Sequence, residues 1–281
     1  CEFSSDVVLN TIKSKGVDHT LISYRCYEKE DPLKTHQKLI NLTDKLGGRA
    51  SMLISLKYKD QDIIKSLKKV DRFYYDKSVG FSEIIVQHAQ HETDDLRMEK
   101  SRNSTLNTKN IVNIINYLSK KNKPIILHVE LNDFEESSEI ILKELDNILI
   151  KFPNNNFVLI HMGQISINEA ENLIVKHDNI FFMTSQSDAF AQVGMRMLKR
   201  KGDKGQFGWI NLFNEPSEDM PYRGWVDEYI NNLFWNPEWK ILINKYPSRF
   251  IFALDNIFGR HWQKRYGLHV RLWKRAFSLL T

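Results

Sequence analysis

Short runs of apolar residues recur along the chain at fairly even intervals, and each is followed by a more polar segment. The runs are apolar over most of their length instead of alternating with polar residues. This pattern is typical of strands buried on both faces of a parallel sheet. Seven strands are predicted, over residues 19–24, 50–56, 81–87, 124–129, 156–161, 179–184 and 249–254.

The segments around these runs carry apolar residues at spacings of three and four, which predicts helices. Start signals support several of them. Ser166 followed by Glu169, for example, is a capping-box pattern at the start of a helix. The predicted helices cover residues 4–15, 35–46, 60–69, 108–121, 135–151, 166–176 and 238–246.

The alternation of strand and helix predicts an α/β fold with a parallel sheet. The first helix precedes the first recognisable strand, so in a barrel one strand would lie upstream of residue 1. Adding that strand gives eight, the number with which a (β/α)8 barrel closes. We therefore expect residues 1–281 to form a single TIM barrel domain that lacks its first strand in the given chain.

One connection is much longer than the others. Residues 185–239 are rich in aromatic residues and glycine, and they follow the last but one predicted strand. A connection of this length is usually functional, and here it would form a lid over the barrel mouth. The alternative is a helical insertion that only packs. If the segment is a lid, Trp209 is a candidate substrate contact.

Composition narrows the class of protein. The chain has 42% hydrophobic residues, enough for a large core. Its 40 basic and 35 acidic residues are spread along the sequence, so the net charge of +5 indicates a solvated surface and not a nucleic-acid site. The apolar runs have the length of strands, which predicts a soluble protein without a membrane span. No Walker loop or GxGxxG pattern occurs, so no nucleotide site is predicted.

The two cysteines, Cys1 and Cys26, are too few for a disulfide framework. A cytoplasmic protein is therefore the favoured interpretation. Because the chain begins with Cys1, a truncated fragment and a processed lipoprotein in the periplasm both stay open as alternatives. A homo-oligomer is also compatible with the sequence.

Three predicted strands end in residues that can bind metals or transfer protons: His128, His161 and Asp255. In a (β/α)8 barrel the carboxyl ends of the strands face the substrate pocket, so these side chains are expected to meet there. Imidazoles and a carboxylate suit Zn²⁺ or another divalent ion. Each residue alone has a simpler explanation, since histidines after strands often serve as structural hydrogen-bond partners and an aspartate can cap a helix.

Four segments carry a resemblance to a known family: 15–18 (KGVD), 153–163 (PNNNFVLIHMG), 179–185 (NIFFMTS) and 246–256 (YPSRFIFALDN). Together they resemble the amidohydrolase superfamily, in the branch that includes the carboxymuconate-semialdehyde decarboxylases. The likeness runs over nearly the whole chain, and it implies a metal-dependent TIM barrel enzyme.

The resemblance implies roles for individual residues. His128 matches a metal ligand, Asp255 matches the aspartate that binds the metal or takes a proton from its water, and His161 matches a histidine that acts in acid/base chemistry or binds a second metal. The family's His-x-His pair at the end of the first strand has no counterpart here. The metal that the family's pattern implies is zinc, and it would therefore be held by an incomplete set of ligands.

Further residues at strand ends are weaker candidates. Arg25, Ser185 and Gln186 are predicted, with Trp209, to contact the substrate, and an interstrand salt bridge is the alternative use of Arg25. Glu130 is interpreted either as a hydrogen-bond partner of a ligand histidine or as a surface residue. At the predicted end of the third strand stand Gln87 and His88, where some relatives place a bridging carboxylate or a modified lysine. His88 and His91 form a His-x-x-His spacing, for which a surface role is favoured.

Two hypotheses about function follow. The first is a metal-dependent hydrolase of amides, esters or lactones, or a related decarboxylase, acting on a small organic substrate through activated water. The second is a barrel that keeps the fold without catalysis and serves as a ligand-binding or lipid-anchored surface protein.

Overall fold

The architecture is a curled parallel sheet surrounded by helices. A computed structural model describes residues 5–23, 31–55, 63–88, 102–103, 105–131, 135–188, 190, 210–215, 225–254 and 261–280. Every structural statement below concerns these residues.

Seven parallel strands form the main sheet, and their order in space is their order in the sequence. Each strand pairs with the strand that precedes it in the sheet, as expected when every crossover passes through a helix on the outer face. The strands are β1 Thr20–Ile22, β2 Ala50–Ser55, β3 Ser78–Ile85, β6 Ile125–His128, β7 Phe157–Leu159, β8 Ile180–Met183 and β9 Phe250–Ile251.

A two-stranded antiparallel ribbon follows β3. It pairs β4 Gln87–His88 with β5 Arg102–Asn103. The sequence predicted Gln87 and His88 at the end of the third barrel strand. This prediction was wrong, because β3 already ends at Ile85. His88 lies opposite Arg102 in this ribbon, and His91 lies outside the described residues.

Helices connect the strands on the outer face. Ser166 caps the helix Ile167–Lys176 through the capping box with Glu169 that the sequence predicts. The helices are α1 Ser5–Ser14, α2 Pro32–Lys45, α3 Ile63–Tyr74, α4 Lys109–Leu118, α5 Glu135–Lys151, α6 Ile167–Lys176, α7 Trp225–Asn231, α8 Pro237–Lys245 and α9 Tyr266–Phe277. The sequence-based prediction missed α7 and α9.

The two faces of the sheet differ in burial. Apolar residues on the outer face form one continuous core with the helices. On the inner face Leu53, Ile126 and Val158 form a small buried cluster, and the apolar residues packed against it are partly buried. Leu21, on the face of β1 opposite the buried Ile22, is 46% exposed. The partial exposure of the inner face is expected of a barrel sheet with seven strands instead of the eight that close a (β/α)8 barrel.

The outer layer joins the two ends of the chain. The Thr11 hydroxyl of α1 donates to the carbonyl oxygen of Trp262 at 3.4 Å, and the Lys274 ammonium of α9 donates to the carbonyl oxygen of Lys15 at 3.4 Å. The first helix therefore contacts the last helical segment. None of the described helices is long and apolar enough to cross a membrane.

Candidate metal centre

Three buried polar side chains meet at the carboxyl ends of neighbouring strands. His128 is the last residue of β6, His161 lies two residues beyond β7, and Ser185 lies two residues beyond β8. All three are almost fully buried. The parallel order of β6, β7 and β8 brings them to one edge of the sheet, as the sequence predicted for the two histidines.

His128 lies between two carboxylates. Its Nε2 is 3.0 Å from Oε1 of Glu130, and its Nδ1 is 3.5 Å from Oε1 of Glu83. Burial by itself disfavours the imidazolium, but the two carboxylates outweigh it, and together they raise the pKa of His128 to about 9. The contact with Glu130 agrees with the first of the two interpretations given above for that residue.

Glu83 reaches the site because the backbone of β3 is irregular. The pairing of β3 with β6 shifts register between Phe81 and Ile84, and Glu83 has a φ of 47° in that interval. A bulge of this kind redirects a side chain that regular pleating would place elsewhere. Glu83 was not among the site residues predicted from the sequence. The signal that could have indicated it is a single charged residue inside an apolar strand, in the segment FSEII at 81–85.

His161 stands on an unusual backbone turn. Four successive residues, His161 to Gln164, have positive φ values between 50° and 65°. Only Gly163 adopts this conformation without a steric penalty, so the other three store strain, as residues at functional sites often do. The turn ends the strand two residues earlier than predicted, and the Gln164 side chain holds it by accepting a hydrogen bond from Ile210 N at 2.8 Å.

Ser185 contacts His161 through three hydrogen-bond distances. The His161 amide donates to the Ser185 hydroxyl oxygen at 3.3 Å. His161 Nδ1 lies 2.9 Å from that hydroxyl oxygen and 3.2 Å from the Ser185 carbonyl oxygen. The ring of His161 also packs edge-on against that of His128, with centroids 4.9 Å apart.

The residues His128, Glu130 and His161 each offer one donor atom, and these atoms all lie within 4.8 Å of one another. Two imidazoles and a carboxylate form a donor set that suits divalent transition metals. Two ligands of one ion at about 2.0–2.1 Å lie about 3 Å apart, which is close to the separation between His128 Nε2 and Glu130 Oε1. The donor set therefore fits a metal ion.

Several predicted site residues lie outside the described part of the chain. These are Asp255, Arg25 and Trp209, so their predicted roles stay predictions. Gln186 is described next to Ser185, partly buried and with a φ of 59°. Of the predicted lid, only residues 185–188, 190, 210–215 and 225–239 are described, and its function as a lid also stays a prediction.

Two solved structures share this fold over nearly the whole chain. An amidohydrolase from Burkholderia multivorans with bound HEPES has a TM-score of 0.53, covering 100% of this chain and 83% of its own, at 10% identity. A probable 2-pyrone-4,6-dicarboxylic acid hydrolase from Acinetobacter baumannii with bound citric acid has a TM-score of 0.51, covering 98% and 82%, at 11% identity. This chain has a TIM barrel fold.

The shared fold and the seven-stranded parallel sheet together confirm the predicted (β/α)8 class. At 10–11% identity the likeness concerns the fold alone. No protein-family model and no curated protein sequence matches the chain.

Proposed function

We propose that this protein is a metal-dependent hydrolase or decarboxylase that acts on a small organic molecule at the carboxyl end of its sheet. The observation that carries the proposal is the cluster of His128, Glu130 and His161, buried at the ends of two adjacent strands. Zinc is the metal that we expect, because it commonly binds imidazole and carboxylate together.

The surroundings of the two histidines support metal binding. Histidines that bind metals almost always give their other ring nitrogen to a carboxylate or a carbonyl oxygen. His128 Nδ1 faces the Glu83 carboxylate and His161 Nδ1 faces the Ser185 carbonyl oxygen. In this arrangement Nε2 of each ring is the atom for the metal, Glu130 is a third ligand, and Asp255 is a fourth by its resemblance to the family's aspartate.

The reaction would divide between these groups. A divalent ion supplies Lewis acidity, which makes water a usable nucleophile near neutral pH. Asp255 would take the proton from the attacking water, and His161 would help to hold the ion through Nε2. Hydrolysis of an amide, ester or lactone needs activated water and this proton acceptor, and decarboxylation would need a proton delivered to carbon, for which a protonated Asp255 is the donor.

We infer that the substrate carries a carboxylate. In the sequence Arg25 comes three residues after the last residue of β1, and arginine binds carboxylates in a bidentate geometry. The fold relative from Acinetobacter is named for a dicarboxylic acid and was solved with citric acid. Ser185, Gln186 and Trp209 are the remaining predicted contacts to the substrate.

Metal binding tests this proposal directly. The full chain, stripped with a chelator, is titrated with Zn²⁺ by calorimetry, and the bound metal is counted by elemental analysis. We expect one ion per chain, and a loss of affinity of at least tenfold in His128→Ala and in His161→Ala. His19→Ala, which removes an exposed histidine that bonds to Ser51, is the matched control and should bind normally.

Two results would overturn the proposal. The first is the absence of bound metal in the wild-type chain, which would favour the ligand-binding barrel without catalysis. The second is an equal loss of affinity in all three variants, which would show that zinc binds nonspecifically to histidines.

A further inference from the structure

The contact between Ser185 and His161 determines more than the position of a ring. A neutral imidazole carries its proton on one nitrogen, and only the other nitrogen can bind a metal or accept a proton. The group that faces Nδ1 therefore decides which atom of His161 is available to the site. The distances around Nδ1 allow this choice to be deduced.

The backbone amide of His161 can only donate, so the Ser185 hydroxyl oxygen accepts this hydrogen bond at 3.3 Å. The Ser185 carbonyl oxygen has no proton and can only accept, and it lies 3.2 Å from Nδ1 of His161. If Nδ1 were unprotonated, two lone pairs would face each other across this distance inside a buried site.

The proton therefore belongs on Nδ1, where both the carbonyl oxygen and the hydroxyl oxygen at 2.9 Å can accept it. We propose that Ser185 is a positioning residue that holds His161 in the Nδ1–H tautomer and so presents the lone pair of Nε2 to the site. This assigns Ser185 a role different from the substrate contact that its sequence position predicted.

The turn that carries Ser185 is itself fixed by hydrogen bonds. Thr184 N donates to the carbonyl oxygen of Ile251 at 3.0 Å, and Ala253 N donates to the Thr184 hydroxyl oxygen at 3.2 Å. On the other side, the Ser187 hydroxyl donates to the Thr184 carbonyl oxygen at 2.5 Å. The last strand of the sheet thus holds the turn in place, and His161 is oriented by a rigid partner.

The tautomer is independent of the proposed function, whereas its use by a metal or a substrate rests on that function. Ring-nitrogen NMR of the metal-free full chain, labelled with ¹⁵N-histidine, measures it directly. His161→Gln identifies the His161 signals. Spectra are recorded at the alkaline end of the range in which the protein is folded, where imidazoles are neutral. We expect a protonated Nδ1 and an unprotonated Nε2.

Two variants separate positioning from general structural support. Ser185→Ala removes the nearer acceptor and keeps the carbonyl oxygen, so we expect the Nδ1–H tautomer to lose part of its population to the Nε2–H tautomer and the zinc affinity to fall by about tenfold. Ser185→Thr keeps both oxygens and should restore the wild-type spectrum. Ser187→Ala removes a buried hydroxyl that bonds within the same turn without contacting His161, and should change both measurements less than Ser185→Ala does.

A proton on Nε2 in the wild-type chain would overturn the inference, whatever the chain binds. Equal changes in the Ser185→Ala and Ser187→Ala spectra would also overturn it, because the effect would then come from a disturbed turn. If the wild-type ring has its proton on Nδ1 but zinc does not bind, the inference holds and the proposed function fails.

Discussion

The carboxylate of Glu83 lies 3.5 Å from Nδ1 of His128, although the two residues belong to neighbouring strands and are 45 positions apart in the chain. With Glu130 at Nε2, this contact places the imidazole between two acids. The ring of a metal-binding histidine is commonly oriented by such an outer carboxylate. Glu83, which orients His128, thus lies on β3, and the sequence had predicted no acidic side chain from this strand in the site.

Replacing Glu83 by glutamine should weaken zinc binding by about 10- to 100-fold, since a neutral amide replaces the charged acceptor at Nδ1 while the metal-binding atoms are kept. Calorimetric titration measures the effect. Glu139→Gln, which changes an exposed glutamate on α5, is the matched control. Wild-type affinity in Glu83→Gln would show that Glu83 does not support the site.

Replacing Gly163 by alanine should destabilise the left-handed turn at His161. The φ of Gly163 is +65°, and an added Cβ would lie 2.9 Å from Cδ1 of Leu159. Gly163→Ala is expected to lower the free energy of unfolding by about 1–3 kcal/mol. Gly47→Ala, with a φ of +59° and open space around it, should cost only the backbone penalty, about 1 kcal/mol. Urea denaturation compares the two, and an equal loss would show that Leu159 moves aside freely.

Stability should fall in mild acid because of His36. Nδ1 of this fully buried residue of α2 lies 2.6 Å from the Pro32 carbonyl oxygen, and its Nε2 accepts a hydrogen bond from Ser55 N at 3.0 Å. Together the two hydrogen bonds require a neutral ring with its proton on Nδ1. Burial lowers the pKa of His36 from its ordinary value of 6.5, and the hydrogen bond to Pro32 only partly opposes this.

The unfolded chain therefore binds more protons than the folded chain as the pH falls below about 6.5, and the free energy of unfolding decreases there. Above this pH the contribution of His36 is constant. His36→Gln keeps an acceptor for Ser55 N but cannot titrate. Denaturation curves on both sides of pH 6.5 should show a smaller acid loss in this variant than in the wild type, and identical losses would assign the effect to other groups.

A buried carboxylate on α5 holds the segment that precedes α4. Glu144 accepts hydrogen bonds from Leu106 N at 2.7 Å and from Asn107 Nδ2 at 2.8 Å. Glu144→Leu leaves the buried amide of Leu106 without this acceptor and should cost about 1–3 kcal/mol in urea denaturation. Lys143→Leu, at the adjacent exposed position, should stay within about 0.5 kcal/mol of the wild type. Equal losses in both variants would contradict the role of Glu144.

The sequence by itself determined the layers of this protein. Apolar runs and helical periodicity are local properties, and burial on both faces of a strand or on one face of a helix requires them, so the seven strands and the seven helices predicted between them could be found. The same reasoning located His128 and His161, because a polar residue that closes an apolar strand is visible in the sequence.

Only the tertiary structure decided what surrounds these two histidines. The bulge at Glu83 and the left-handed turn at His161 are backbone irregularities that the apolar and helical periodicity of the sequence does not reveal. Ser185 faces Nδ1 of His161 only because β7 and β8 are adjacent and the turn after β8 is tied to β9. The two histidines and Glu130 could be found in the local sequence, whereas the groups that face Nδ1 of each ring, Glu83 and Ser185, are brought there by contacts between distant segments.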